Sequence, residues 1–250
     1  MNQNIVVVKF GSELVTNEHG VDQSRINQYA AGLKVVYQPS NLIIVTSGAV
    51  KAGLARANKL GTVDLSEVTL SQLGAAQIVA AWEKAFAEVD VLAGGLLVTH
   101  NELTDLSEGP KFITALNHAL KAGIVSVINE NDALSDTELM QLAVGGDNDG
   151  LAAHIAQKVD AEKLVLFTTK GGVLDDSEQL IPKISNNNAQ EVLTMLEARA
   201  YAKKQDGTGR GGIVTKFVAA RSAAQNGIIV TIARPSPDMN GDLITEFVVG

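Results

Sequence analysis

The chain has 250 residues, of which 46% are hydrophobic and only 4% aromatic, and its formal net charge is −8. That balance argues against nucleic acid or an anionic membrane as the main partner. The absence of cysteine excludes disulfides, thiolate catalysis and cysteine-bound metals.

Ile5–Phe10 is an apolar, β-branched run stopped at Gly11, which reads as a buried strand and a tight turn. Helical spacing follows from Asp22 to Val36 and closes at Pro39. Leu42–Val45 is the next strand, ending at Thr46-Ser47-Gly48, with a helix to about Asn58. Leu70–Glu88 reads as an alanine-rich helix, Val91–Val98 as a strand, Lys111–Lys121 as a helix and Ile124–Ile128 as a strand. Asn148–Val159 then reads as a helix and Lys163–Phe167 as a strand, with a hairpin excursion over Leu174–Ile184. Ala189–Arg199 and Ile213–Gln225 read as helices, Ile228–Ile232 as a strand and Thr245–Val249 as a last edge strand. Strands alternating with helices predict a mostly parallel sheet, here in one domain spanning residues 1–250. No charged leader precedes the first strand, and Val91–Val98 falls far short of the roughly 18 residues of a membrane helix. A soluble, cytoplasmic protein is the expectation.

In open α/β sheets ligands bind beyond the carboxyl ends of the strands, so the residues after each strand are the candidates. Gly11 and Ser12 offer a turn whose N–H groups can hold phosphate, with Lys9 at the same mouth. Ser47 either caps the following helix or meets an anion at its N-terminus. Asn129-Glu130-Asn131-Asp132 reads as a polar rim after a strand; Gly145-Gly146-Asp147-Asn148-Asp149 opens a helix. Such rims can hold an ammonium group, orient lysines, bind a hard cation or form polar turns. Gly207, Gly209 and Gly212 match a dinucleotide pattern by letter, but polar Tyr201–Asp206 precedes them where that pattern needs a strand. A glycine-rich cradle before a helix carrying Lys216 remains, as a phosphate site. Two lysines at phosphate turns suit phosphoryl transfer. No histidine sits in these turns, and a carboxylate acceptor, already ionised at pH 7, needs no base.

VVVKFGS, VTSGAVKAG, VINENDA, VGGDNDGLAA and GTGRGGIVTK resemble, in order, the consecutive motifs of the glutamate 5-kinases, a branch of the amino acid kinase family. The resemblance spans nearly the whole chain. It implies an α/β, three-layer αβα sandwich with a mainly parallel sheet of about eight strands. It also implies ATP with Mg²⁺, L-glutamate as acceptor and L-glutamyl 5-phosphate as product, the first step of proline synthesis. Proline is then a possible feedback inhibitor, and a homo-oligomer is expected. Carried over by position, Lys9 and Lys216 resemble the lysines that stabilise the transferring group, and Asp149 the aspartate that holds them. Gly11, Ser12, Thr168, Thr169, Arg210, Gly211, Gly212, Ile213, Val214, Thr215 and Lys216, with Lys9, resemble nucleotide-binding positions. Ser47, Asp132 and Asn148 resemble the glutamate-binding residues, and no direct protein ligand for the metal is implied. The chain departs from the family at Thr169, usually aspartate; at Arg210, inside a loop usually reading GTGG; and at Gly74-Ala75, usually Gly-Gln. Many family members continue into a PUA domain, and this chain is expected to lack one. The alternatives are a sister kinase acting on another carboxylate, or a non-catalytic amino-acid-binding regulator on the same fold.

Overall fold

The computed structural model describes residues 4–62, 64–134, 148–205 and 212–248. Its frame is one eight-stranded sheet. Strand β1 (Val6–Phe10) lies at the centre, and each of its residues is buried. On one side it pairs in parallel with β4 (Leu42–Thr46), followed by β6 (Val125–Glu130) and β5 (Ala93–Val98). On the other it pairs in parallel with β7 (Lys163–Phe167), followed by β9 (Ile229–Arg234). Then β10 (Asp242–Phe247) runs antiparallel to β9, and β8 (Lys183–Ile184) is the outer strand. The small pair β2 (Thr16–Asn17) and β3 (Gly20–Val21) stands apart from this sheet. Six neighbouring parallel strands are what buried aliphatic runs favour.

Alternation along β1 divides the core. Val6, Val8 and Phe10 join one apolar cluster, with helix α1 (Ser12–Val15), α2 (Gln23–Val36), α3 (Ala49–Lys59) and α4 (Glu67–Ala87). Val7 joins the other, built from α5 (His100–Thr104), α6 (Glu108–Lys121), α7 (Asn148–Lys158), α8 (Ala189–Gln205) and α9 (Gly212–Gln225). The result is helices on both faces of one sheet, the αβα sandwich that the sequence implies.

Side chains set several boundaries. The Asp22 carboxylate accepts from the backbone N–H of Arg25 and starts α2. Ser66 does the same for α4 by accepting from Thr69 N–H, placing the start three residues ahead of the expected Leu70. Thr99 and Glu102 form a reciprocal capping box that opens α5.

Two expectations about strands are corrected. β6 continues through Asn129 and Glu130, which stay paired with β5 and lie buried, so the exposed part of the polar rim is shorter. β10 is not an edge strand, because β8 adds outside it.

Helices α3 and α4 approach until their backbones touch. A Cβ on Gly53 would stand 1.9 Å from the carbonyl oxygen of Leu70, and one on Gly74 would stand 1.9 Å from that of Ala49. The pairs Gly53–Leu70 and Ala49–Gly74 run in opposite directions, so the helices are antiparallel. α3 leaves the carboxyl end of β4, and the second half of α4 descends over the sheet with Ile78, Trp82 and Phe86. The α3–α4 pair therefore rises above the strand ends and walls one side of the mouth.

Gly74→Ala should gain about 1 kcal/mol of helix propensity and lose more, about 3 kcal/mol, to overpacking against a backbone that cannot yield. A lower urea midpoint is expected. Gly94→Ala, on β5 with nothing near its would-be Cβ, should leave the midpoint almost unchanged.

Candidate active site

The order of the sheet reverses beside β1. The chain moves from β1 to β4 and outward, then returns to place β7 on the other flank. A crevice opens at such a reversal, beyond the carboxyl ends of the strands. Four segments meet there: the turn after β1, the loop after β7, and the first turns of α7 and α9.

At the centre are three charges. Lys9 lies one residue before the end of β1, on the face covered by α7 and α9, between Val45 and Leu166 of the neighbouring strands. Its Nζ is 2.7 Å from Asp149 Oδ1. Lys216, on α9, donates from Nζ to both carboxylate oxygens, at 2.7 Å to Oδ1 and 2.6 Å to Oδ2. Asp149 sits in the first turn of α7, where the helix dipole favours an anion. All three are buried: Lys9 is 3% exposed, Asp149 2% and Lys216 8%.

Burial alone would raise the pKa of Asp149. The ammonium groups of Lys9 and Lys216, which attract and hydrogen-bond it, overcome that and hold the carboxyl below the usual carboxylate range. Asp149 is therefore an anion at neutral pH and a very weak base.

Around this core the other expected residues fall on two sides. Gly11 closes β1, and a Cβ there would stand 4.0 Å from Lys9 Nζ and 3.9 Å from the carbonyl oxygen of Phe167. The glycine thus leaves open the space in front of the ammonium. Ser12 starts α1. Thr168 follows β7, and its hydroxyl oxygen accepts from the N–H groups of Lys170 and Gly171, so that side chain shapes its own turn. The hydroxyl of Thr169 donates to Glu13 Oε2 at 3.2 Å, linking the loop after β7 to α1. Gly212, Ile213, Val214 and Thr215 form the first turn of α9; Ile213 and Val214 pack on the core, and Thr215 donates to the carbonyl oxygen of Gly212. Arg210 and Gly211, with Gly207, Thr208, Gly209 and Gly145-Gly146-Asp147, lie outside the described residues.

On the other side stand Ser47, Asp132 and Asn148. The backbone N–H of Ser47 donates to the carbonyl oxygen of Phe10 at 3.2 Å, tying the turn after β4 to the end of β1. Gly48 takes φ +111°, and a Cβ would press on Val15, Thr16 and Ile78 at 3.1–3.2 Å, so this turn requires glycine. Asn148 Oδ1 accepts from the N–H of Glu130 at 3.3 Å, fixing the start of α7 to the end of β6. Asp132 lies just past β6. Its burial, and then the negative charge of Glu67 at the start of α4, push its pKa up to about 6.

The sequence reading missed Glu13 and Glu67. Glu67 lies in the first turn of α4, right after the Ser66 cap, a signal readable in the sequence. Glu13 stands in a four-residue helix too short for any periodicity to reveal.

A buried carboxylate between two lysines, a glycine turn before them and polar residues opposite thus meet at one crevice. Residues 4–234 match the model of the amino acid kinase family, and the chain belongs to the amino acid kinase family. Among its relatives, the glutamate 5-kinase of Haemophilus influenzae (strain PittEE) is 33% identical over 260 residues, a match covering all of this chain and 68% of the relative. That of Bordetella parapertussis is 32% identical over 235 residues, covering 92% of this chain and 61% of the relative. Among solved structures, carbamate kinase from Giardia superposes with a TM-score of 0.66 at 11% identity over the whole of both chains. UMP kinase from Ureaplasma parvum gives 0.60 at 14% identity, covering 99% of this chain and all of the other. These two likenesses establish the fold.

Asp149→Asn keeps the shape and removes the charge between two buried ammonium groups. Losing one member of a buried ion network costs about 3–5 kcal/mol, so a markedly lower urea midpoint is expected near neutral pH. The depressed pKa gives the sign with acid. The wild-type advantage is complete above the ordinary aspartate value of about 4 and fades as pH falls through the folded-state value. Equal midpoints for wild type and variant near pH 7 would contradict this.

Proposed function

We propose that this protein transfers the γ-phosphoryl group of ATP to the side-chain carboxylate of L-glutamate, giving L-glutamyl 5-phosphate, the first step of proline synthesis. The observation that carries the reading is the convergence of Lys9 and Lys216 on Asp149 at the sheet's switch point. The full-length likeness to glutamate 5-kinases supports the choice of acceptor.

The chemistry follows from the charges. Phosphoryl transfer requires positioning and neutralisation of negative charge on the moving group. Among the described residues, two ammonium groups share one carboxylate, a cationic balance suited to that purpose. Asp149 is a positioning residue: it fixes both ammonium groups and takes no proton. No base is needed, since the acceptor carboxylate is ionised at neutral pH. Gly11 and Ser12, Thr168 and Thr169, and the segment from Arg210 through Lys216 take the nucleotide. Ser47, Asp132 and Asn148 take the amino acid, with Asp132 opposite its ammonium group.

Mg²⁺ belongs to the same reading. In it the ion accompanies the nucleotide phosphates, where it would neutralise charge. No described helix is long and apolar enough to cross a membrane, which suits a cytoplasmic enzyme. Feedback by proline and assembly into a homo-oligomer complete the reading.

Three measurements test it. A hydroxamate assay, which traps acyl phosphates, should show product that depends on both glutamate and Mg-ATP. Lys216→Ala should lower kcat by two or more orders of magnitude while glutamate binding stays close to wild type; normal turnover in that variant would remove Lys216 from the mechanism. The raised pKa of Asp132 sets a pH dependence. Below about 6 its carboxyl is protonated and loses its attraction for an ammonium, so kcat/KM for glutamate should fall toward tenfold per pH unit. Free glutamate titrates lower, near 4.3. Asp132→Asn should lower kcat/KM and flatten this limb; an unchanged limb would assign it to another group.

A further inference from the structure

The chain holds one tryptophan, and it lies beneath the turn that carries Ser47. Trp82 belongs to the second half of α4 and is fully buried. Its ring packs against Phe10, the last residue of β1, with centroids 4.9 Å apart, and against Phe86 one turn further along α4 at 5.9 Å. Packing from both sides fixes where the indole N–H points. It donates to Thr46 Oγ1 at 3.2 Å. Thr46 is the last residue of β4, fully buried, and pairs with Phe10 in the sheet. Its hydroxyl donates in turn to the carbonyl oxygen of Ser47 at 3.3 Å.

The direction of this relay is set by its first member. An indole N–H can only donate, so the Thr46 oxygen accepts there and its one proton is left for the Ser47 carbonyl. Ser47 is then held at both of its peptides: its N–H donates to the carbonyl oxygen of Phe10, and its own carbonyl accepts from Thr46. The peptide joining Ser47 to Gly48 is planar and trans. With its oxygen drawn to Thr46, the N–H of Gly48 is turned the opposite way. The backbone on either side of the Ser47 hydroxyl is thus oriented from the core, by a side chain 35 positions further along the sequence.

We propose that Trp82 is a positioning residue for the acceptor: through Thr46 it sets the Ser47–Gly48 peptide, and with it the face that Ser47 presents to the amino acid. The inference rests on the reading that Ser47 takes the acceptor. Losing a hydrogen bond of this kind changes an equilibrium constant roughly tenfold.

The test combines the hydroxamate assay with the carbonyl carbon spectrum of the ligand-free protein. Trp82→Phe removes the donor, Thr46→Val removes the relaying hydroxyl, and Thr46→Ser keeps it. Phe86→Leu, in the same cluster but outside the relay, reports on loosened packing alone. Trp82→Phe and Thr46→Val should each raise KM for glutamate roughly tenfold and leave KM for ATP unchanged. The double variant should be no worse than either single one, because the two act as a unit. Thr46→Ser should keep the wild-type KM, and Phe86→Leu should lower Tm without moving it. The Ser47 carbonyl resonance, which follows hydrogen bonding, should shift in Thr46→Val and hold its place in Thr46→Ser. If Trp82→Phe fails to fold, the two Thr46 variants decide. A glutamate KM unmoved in Thr46→Val, an equal rise in KM for ATP, the same rise in Phe86→Leu, or additive effects in the double variant would each overturn the proposal. Wild type without glutamate-dependent turnover, but with the expected carbonyl shifts, would sink the acceptor assignment and leave the relay in place. Normal turnover with an unmoved carbonyl would do the reverse.

Discussion

The carboxylate of Asp149 is the interaction on which the architecture of the mouth depends. Two ammonium groups buried side by side would repel each other and lack solvation, and each would lose its proton or leave the interior. One anion within 2.7 Å of both makes the arrangement tenable. Its position is over-determined. Asp149 is the second residue of α7, whose first residue is tied to the end of β6 by a hydrogen bond, and whose body packs on β1 and α9. The same contacts that bury the aliphatic face of α7 thus aim its first turn at the two lysines. Packing, helix dipole and ion network act on one side chain.

The mouth divides by charge as a result. Among the described residues its centre sets two lysines against one aspartate. Its walls are acidic, with Asp132 and Glu67 toward one side and Glu13 toward the other. In the proposed reading, the centre would take the phosphates of the donor and the flank of Asp132 the ammonium group of the acceptor.

Much of the frame was legible in the sequence, because buried parallel strands write themselves as continuous aliphatic runs, as Val6–Phe10 and Leu42–Thr46 do. The ends were less so. Asn129 and Glu130 look like a turn, yet ladder bonds to β5 and burial keep them in β6, and composition alone does not reveal a paired neighbour. The place of β10 depends on a two-residue strand, β8, too short to leave a pattern. The capping box of α5 was readable in Thr99-His100-Asn101-Glu102 but carries no hydrophobic period over five residues. Lys9 was singled out at the end of its strand and Lys216 in the helix after the glycine cradle, while the role of Asp149 came from the family resemblance. That Lys216 meets an aspartate 67 residues earlier is a product of topology, which spacing along the chain does not encode.

The backbone contact between α3 and α4 has a bearing on how this side of the mouth could change over time. A pocket walled by side chains can be enlarged one residue at a time. Here the wall is two main chains in touch through Gly53 and Gly74, anchored at one end by the Ser47-Gly48 turn. No single replacement can move one helix outward without wrenching the other. Variation in the width of this cleft is thereby channelled into the few residues at its rim, and broader remodelling would demand concerted exchange at both glycines.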